Sequence, residues 1–175
     1  GKLPVSFPRT VGQEPLYYNH KNTRRPVNKD DNVFWSHYID VSNEPLYPFG
    51  YGLSYTTFEY SALQLSNREM QRGGSVDVSV TLQNTGDVAG EEVVQLYIRD
   101  ITASTTRPVK ELKGFQKIRL EPGAAKEVQF TLTEKDLQFY TINKKWEAEP
   151  GALNVYVGGN SEDVLETSFT LLYAI

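Results

Sequence analysis

Val76-Asp77-Val78-Ser79-Val80-Thr81-Leu82-Gln83 alternates apolar and polar side chains without a break. In an extended chain Val76, Val78, Val80 and Leu82 share one face and Asp77, Ser79, Thr81 and Gln83 the other, the period-2 pattern of a half-buried strand. Arg72-Gly73-Gly74-Ser75 before it and Asn84-Thr85-Gly86-Asp87 after it are turn sequences. The same pattern spreads outward in both directions. Upstream, Phe58, Tyr60 and Ala62 fall on one face and Leu63 and Leu65 on the other. That change of phase predicts a β-bulge or a strand that changes sheets. Downstream, Val94, Leu96 and Ile98 form an inward face, and Val93 and Tyr97 predict partial cover on the opposite one.

Residues 109–120 read as a strand interrupted at Gly114, and Glu121-Pro122-Gly123-Ala124 has the Pro-Gly pair of a type II turn. Val128, Phe130 and Leu132 alternate again. Residues 137–141 and 145–149 are shorter and less regular, and Glu149-Pro150-Gly151-Ala152 repeats the Pro-Gly turn. Leu153, Val155 and Val157 follow, then Gly158-Gly159-Asn160-Ser161, and a last strand at 169–172. No strong amphipathic helix appears. Short strands at regular spacing with turn chemistry between them predict an all-β fold. The expected architecture is an immunoglobulin/fibronectin type III-like antiparallel β-sandwich with an extended N-terminal connector.

Leu46-Tyr47-Pro48-Phe49-Gly50-Tyr51-Gly52-Leu53-Ser54-Tyr55-Thr56-Thr57-Phe58 divides this train of strands from a different kind of sequence. Its rings carry large buried areas and its glycines permit unusual backbone. It therefore reads as a packed irregular crossing. Residues 9–45 have no helix or strand period and are broken by Pro15, Pro26 and Pro45. A structureless loop of this length inside one domain is unusual. The expectation is a connector that runs over other protein and is partly disordered alone. Leu3, Val5 and Phe7 alternate as a short edge strand without a partner nearby in sequence. The expected division is 1–8 a terminal strand of a preceding α/β sandwich domain, 9–45 an interdomain connector and 46–175 the β-sandwich. The opening at Gly1, without an initiating Met, suggests a piece of something longer.

Composition narrows the function. With 39% hydrophobic, 23% charged and 12% aromatic residues, the 175-residue chain is of globular type, and its net charge of −4 argues against a nucleic-acid partner. No apolar run approaches a membrane span. The absence of cysteine excludes disulfides, thiol catalysis and thiolate metal sites. Glycoside hydrolysis needs two carboxyls roughly 5–10 Å apart. The candidates Glu91-Glu92, Glu147 with Glu149, and Asp30-Asp31 all sit where solvated surface carboxylates are expected. His20 and His37 lack metal-ligand spacing, and no Gly-x-Ser-x-Gly elbow occurs. We expect no catalytic residue, no metal and no cofactor in this chain. Tyr17, Tyr18, Trp35, Tyr38, Tyr47, Phe49, Tyr51 and Tyr55 are candidates for contact with a neighbouring domain. Trp35, Tyr38 and Trp146 are candidates for stacking on sugar rings.

Several motifs in order resemble one family. Gly1-Lys2-Leu3-Pro4-Val5-Ser6-Phe7-Pro8-Arg9-Thr10-Val11-Gly12-Gln13 is similar to the end of the second domain of glycoside hydrolase family 3, and residues 46–58 to the entry of its C-terminal fibronectin type III-like domain. Asn84-Thr85-Gly86-Asp87-Val88-Ala89-Gly90, Val94-Gln95-Leu96-Tyr97, Arg107-Pro108-Val109-Lys110-Glu111-Leu112-Lys113-Gly114-Phe115 and Glu149-Pro150-Gly151 continue the match. It covers nearly the whole chain and is nearest to bacterial β-glucosidases of the periplasmic type. Arg24 departs from the pattern, standing where glycine is usual.

The resemblance implies that the nucleophilic Asp and the acid/base carboxylate belong to a barrel and an α/β sandwich domain that this sequence does not contain. It implies a parent enzyme that removes terminal β-linked glucose by a retaining two-carboxylate mechanism, in a periplasmic or extracellular setting. This chain would then be a structural module docked on those two domains, inactive alone, meeting oligosaccharide only through the parent. A carbohydrate-binding module is a second reading. An adhesion or assembly module, homodimer included, is a third and rests on fold analogy alone.

Overall fold

The computed structural model describes residues 1–22 and 37–172. Its strands in chain order are β1 Phe58–Leu65, β2 Glu69–Met70, β3 Ser75–Asn84, β4 Gly90–Asp100, β5 Glu111–Leu120, β6 Ala125–Thr133, β7 Phe139–Tyr140, β8 Trp146–Glu147, β9 Gly151–Gly158 and β10 Val164–Leu171. One helical turn, α1 Glu134–Leu137, stands between β6 and β7. It is capped by Asp136, whose Oδ2 accepts hydrogen bonds from Thr133 N at 2.8 Å and Thr133 Oγ1 at 2.6 Å.

The alternation from Val76 to Gln83 becomes the central strand of a three-stranded sheet, with β3 paired antiparallel to β1 on one side and β6 on the other. The facing sheet has the order β2-β10-β9-β4-β5, antiparallel except for the short β2–β10 pairing. Strands β7 and β8 form a separate hairpin. The apolar faces of β3, β4, β6, β9 and β10 merge into one cluster that also takes Ile118 and Leu120 of β5. Each Val or Leu so buried contributes about 1.5–3 kcal/mol. The structure is thus the all-β sandwich that the alternation predicted.

The phase change in β1 is a bulge. Its register against β3 shifts between Ser61 and Gln64, and Ala62 there has φ +52°. The extra residue turns the strand, so that Phe58 and Tyr60 before it and Leu63 and Leu65 after it all pack on the same core. The interruption expected at Gly114 takes another form. Strand β5 runs unbroken through it, and the irregularity is a register slip against Leu96 and Tyr97. Gly114 lies close to the other sheet, where a Cβ would stand 3.3 Å from Cδ1 of Phe130.

The first Pro-Gly turn forms as expected, with Gly123 at φ +73° and Ala124 N donating to Glu121 O at 3.0 Å. The second is only a bend, because Gly151 already belongs to β9. Residues 137–141 divide between α1 and β7, where Leu137 plugs the core from the helical turn.

Val80 is 1% exposed in the centre of β3, so Val80→Asp should destabilise the sandwich by about 3–5 kcal/mol. Thr81→Asp points away from the core, opposite Glu127, and should cost only about 1 kcal/mol through like-charge repulsion. Urea melts of the two variants test the strand phase, and equal losses would contradict it.

Candidate functional site

Strand β4 is buried on both faces. On the side away from the core, Gln95 and Tyr97 are fully covered. The cover comes from the segment that precedes the sandwich. Tyr18 and Phe49 stack with ring centroids 4.2 Å apart, and Tyr18 meets Tyr97 edge to face at 5.9 Å. Beneath them Tyr97 Oη donates to Gln95 Oε1 at 2.5 Å, and Gln95 Nε2 donates to Gly159 O at 2.6 Å and Gly50 O at 3.4 Å. Gly50 has φ +79°, and a Cβ there would collide with Gln95 Oε1 at 2.2 Å. Glycine is required on both counts. Burial, then the neighbouring Tyr18, raises the Tyr97 phenol well above its ordinary range, so it stays a neutral donor.

The N-terminal strand finds its partner in the aromatic crossing. Leu3 N donates to Tyr51 O, Gly50 N to Leu3 O, Phe7 N to Tyr47 O and Leu46 N to Phe7 O, each at 2.8 Å. This ribbon is tied to the sandwich by a half-buried charge pair. Lys2 Nζ lies 2.8 Å from Glu92 Oε1, and Tyr60 Oη donates to the same oxygen at 3.0 Å. Gly159 leaves room for that carboxylate, since a Cβ there would stand 2.6 Å from Glu92 Oε1. Burial, then Glu92, holds the Tyr60 phenol far above its usual value.

The described parts of the connector are clasped by one buried amide. Gln13 Oε1 accepts from Arg9 N at 2.5 Å and Thr10 N at 3.4 Å, and its Nε2 donates to Ser42 O at 2.7 Å and Glu44 O at 3.4 Å. Arg9 Nε adds a bond to Glu44 O at 3.0 Å, and Tyr38 Oη one to Gly12 O at 3.2 Å. Further along, Val109 N donates to His20 O at 2.9 Å and Asn22 N to Arg107 O at 3.3 Å. A segment without a period of its own thus satisfies its backbone through side-chain amides and the edge of the sandwich.

The candidate contact residues divide into two groups. Tyr18 and Phe49 pack on the module itself, and Tyr51 stacks on Tyr47 at 5.0 Å. Tyr17, Tyr38, Tyr47 and Tyr55 present exposed rings, Tyr55 at 99% and its neighbour Leu53 at 83%. Val5, Phe7 and Leu46 of the ribbon are exposed as well. Of the sugar-stacking candidates, Trp146 is exposed with its ring edge-on to Tyr140. Tyr38 is partly exposed with its hydroxyl engaged. Trp35, Arg24 and Asp30-Asp31 lie outside the described residues.

The carboxylates hold structure together. Lys117, 2.6 Å from Glu91, lowers its pKa, and Thr141 and Asn143 lower that of Glu147 by hydrogen bonding. Glu149 Oε2 accepts from Ser104 N at 2.7 Å. Among the described residues no group of three or more His, Asp or Glu could hold a metal. His20 and His37 are exposed. Sequence reading missed the buried polar hubs Gln13, Asn84, Glu92 and Gln95. Asn84 Nδ2 donates to Val88 O at 2.8 Å and Leu120 O at 3.1 Å, while its Oδ1 accepts from Thr56 Oγ1 at 2.6 Å. The available signal was a set of glycines, Gly50, Gly86 and Gly159, pressed against these side chains or their partners.

At the far end of β4, Asp100 is raised from its ordinary 3.8 to about 6, chiefly by burial, with Arg107 and the Thr102 amide pulling the other way. The folded state therefore binds this proton more tightly than the unfolded state. Its contribution to stability is full below about pH 4 and is lost as pH rises through about 6. Asp100→Asn should gain in melting temperature relative to the parent chain between pH 4 and 7.5. A difference that does not change with pH would contradict the assignment. Removing the latch with Glu92→Ala leaves Lys2 and Tyr60 without their acceptor and should cost about 2–4 kcal/mol in a denaturant melt. A loss within 0.5 kcal/mol or so would place the anchoring elsewhere.

Residues 92–161 match the fibronectin type III-like domain family. The chain is 53% identical over 173 residues to the periplasmic β-glucosidase of Salmonella typhimurium, covering 98% of this chain and 23% of that protein. It is 45% identical over 171 residues to a putative β-xylosidase of Formosa agariphila, covering 98% of this chain and 21% of that protein. The crystal structure of the Listeria innocua β-glucosidase in complex with glucose superposes with a TM-score of 0.92 at 47% identity, over 98% of this chain and 24% of that one. The chain therefore spans about a quarter of the length of these relatives. It belongs, with its fibronectin type III-like domain, to the C-terminal part of the glycoside hydrolase family 3 β-glucosidases.

Proposed function

We propose that this module docks, through the ribbon of residues 3–7 and 46–51 and the exposed stretch around Leu53 and Tyr55, on the catalytic barrel and α/β sandwich domains of a parent β-glucosidase. The parent removes terminal β-linked glucose from oligosaccharides with carboxylates that lie in those domains, in the periplasm or outside the cell. The division into terminal strand 1–8, connector 9–45 and sandwich 46–175 belongs to the same reading. The observation that carries it is the set of exposed apolar side chains on this one stretch of chain, Val5, Phe7, Leu46 and Tyr47 on the ribbon and Leu53 and Tyr55 just after it. Such surfaces mark contact sites, and here the backbone beneath them is held in place by the Lys2–Glu92 latch and the Gln95 network.

A carbohydrate-binding role is the second reading, favoured by the exposed Trp146 ring. Soluble glucan binding that disappears in Trp146→Ala would select it.

The chain alone should not hydrolyse p-nitrophenyl β-glucoside. Turnover abolished by substituting one of its own carboxylates would overturn this. The docking itself is tested by Leu53→Ser with Tyr55→Ser. Both residues are exposed, so the isolated chain should keep its stability to about 0.5 kcal/mol. The parent enzyme carrying the pair should melt at a lower temperature. An unchanged parent would mean that this surface faces solvent there.

A further inference from the structure

Strand β6 ends the three-stranded sheet on the side away from β1. The backbone phase of β3 shows which groups lie on its outer edge. Asp77 N donates to Ser66 Oγ at 3.0 Å and Asp77 O accepts from Ser66 N at 2.9 Å, both on the β1 side. In an antiparallel ladder a residue's N–H and C=O point the same way, and successive residues alternate. Odd-numbered residues of β3 therefore bond toward β1 and even-numbered ones toward β6. Asn84 keeps this phase, since its N donates to Ala124 O at 2.9 Å and its O accepts from Gly123 N at 3.0 Å. The register pairs Asp77 with Thr131, Ser79 with Gln129 and Thr81 with Glu127. Glu127, Gln129 and Thr131 thus turn their N–H and C=O groups away from the sheet.

Such an edge is a template for a further strand. Proteins blunt exposed edges with prolines, bulges or charges. Strand β6 contains no proline and pairs with β3 without a register shift, and its charged residues, Lys126 and Glu127, lie toward one end. The opposite edge of the sheet, β1, is broken by its bulge. Among the described residues, one hydrogen bond reaches the outward backbone groups of Glu127, Gln129 and Thr131, and it comes from the facing sheet. Gln116 Nε2 of β5 donates to Gln129 O at 2.5 Å.

The sequence of β6 fits a second copy of itself. A two-fold axis at Gln129 sets Glu127 opposite Thr131 of the second copy, Lys126 opposite its Leu132, and Gln129 opposite its own counterpart. No like charges meet, and the outward groups of residues 127, 129 and 131 all find partners. Gln116 takes up the carbonyl of the very residue at which that axis must lie. We propose that the outer edge of β6 is a surface for antiparallel pairing with β6 of a second copy, and that Gln116 holds it closed. The inference does not depend on the docking proposed above, which uses other residues.

The test is sedimentation of the 175-residue chain and its variants at matched concentrations, with hydrogen exchange on the same samples. The unsubstituted chain should sediment as a 19.8 kDa monomer. In it the amides of Glu127, Gln129 and Thr131 should exchange fast, while those of Val128 and Phe130, bonded to β3, are protected. Gln116→Ala should tighten self-association at least about tenfold and slow exchange at residues 127, 129 and 131. Adding Gln129→Lys sets two lysines against each other at the axis and should restore the monomer. Protected Val128 and Phe130 amides show that each variant is folded. A Gln116→Ala chain no more associated than the unsubstituted one would overturn the proposal. So would a dimer that survives Gln129→Lys, or an unsubstituted chain already paired through these three amides.

Discussion

A β-strand buried on both faces needs a cover that the sandwich does not supply. In this chain that strand is β4, whose outward Gln95 and Tyr97 are sealed by Tyr18 and Phe49. Removing that cover would expose a phenol and an amide that now bond each other and the backbone of Gly159. The crossing, the connector and the turn after β9 are therefore parts of one packing problem. Gly50 can reach Gln95 only because it has no side chain, and the ribbon of residues 3–7 can pair only because the crossing is held there. The Lys2–Glu92 pair then fixes the ribbon's end. An isolated surface ion pair contributes little, but this one has a carboxylate only 8% exposed and a third partner in Tyr60.

This arrangement bears on how a domain of this kind could act at a distance from catalysis. The exposed rings do not hang from a loose linker. They sit on backbone held by Gln95 of β4, whose Nε2 donates to Gly50 O, and by Ser161 after β9, whose N donates to Phe49 O, so a domain docked there would be held at a defined angle to the sandwich.

The sandwich was legible because local pattern and tertiary role agree. Each residue of the Val76 to Leu82 alternation lies on the face its parity requires, and the Phe58–Leu65 phase change is a real bulge. Gly114 misled, since a glycine in a strand signals either a break or a close approach, and here it is the approach to Phe130. The polar hubs were not legible. Nothing in Gln13 or Glu92 taken locally distinguishes it from a solvated side chain, because its partners, Ser42 and Glu44 in one case and Lys2 and Tyr60 in the other, are distant in sequence. The connector was expected to run over other protein, and its Tyr18, His20 and Asn22 bond or pack on the sandwich of its own chain.

Hydrogen exchange of the chain alone and within its parent enzyme tests the docking most directly. In the chain alone, amides in β3 and β4 should be protected, and those at the ribbon and around residues 53–55 should exchange faster. Within the parent, the ribbon and residues 53–55 should slow markedly while β3 is unchanged. Equal exchange at residues 53–55 in both forms would contradict docking through this surface and leave the exposed rings without the partner assigned to them.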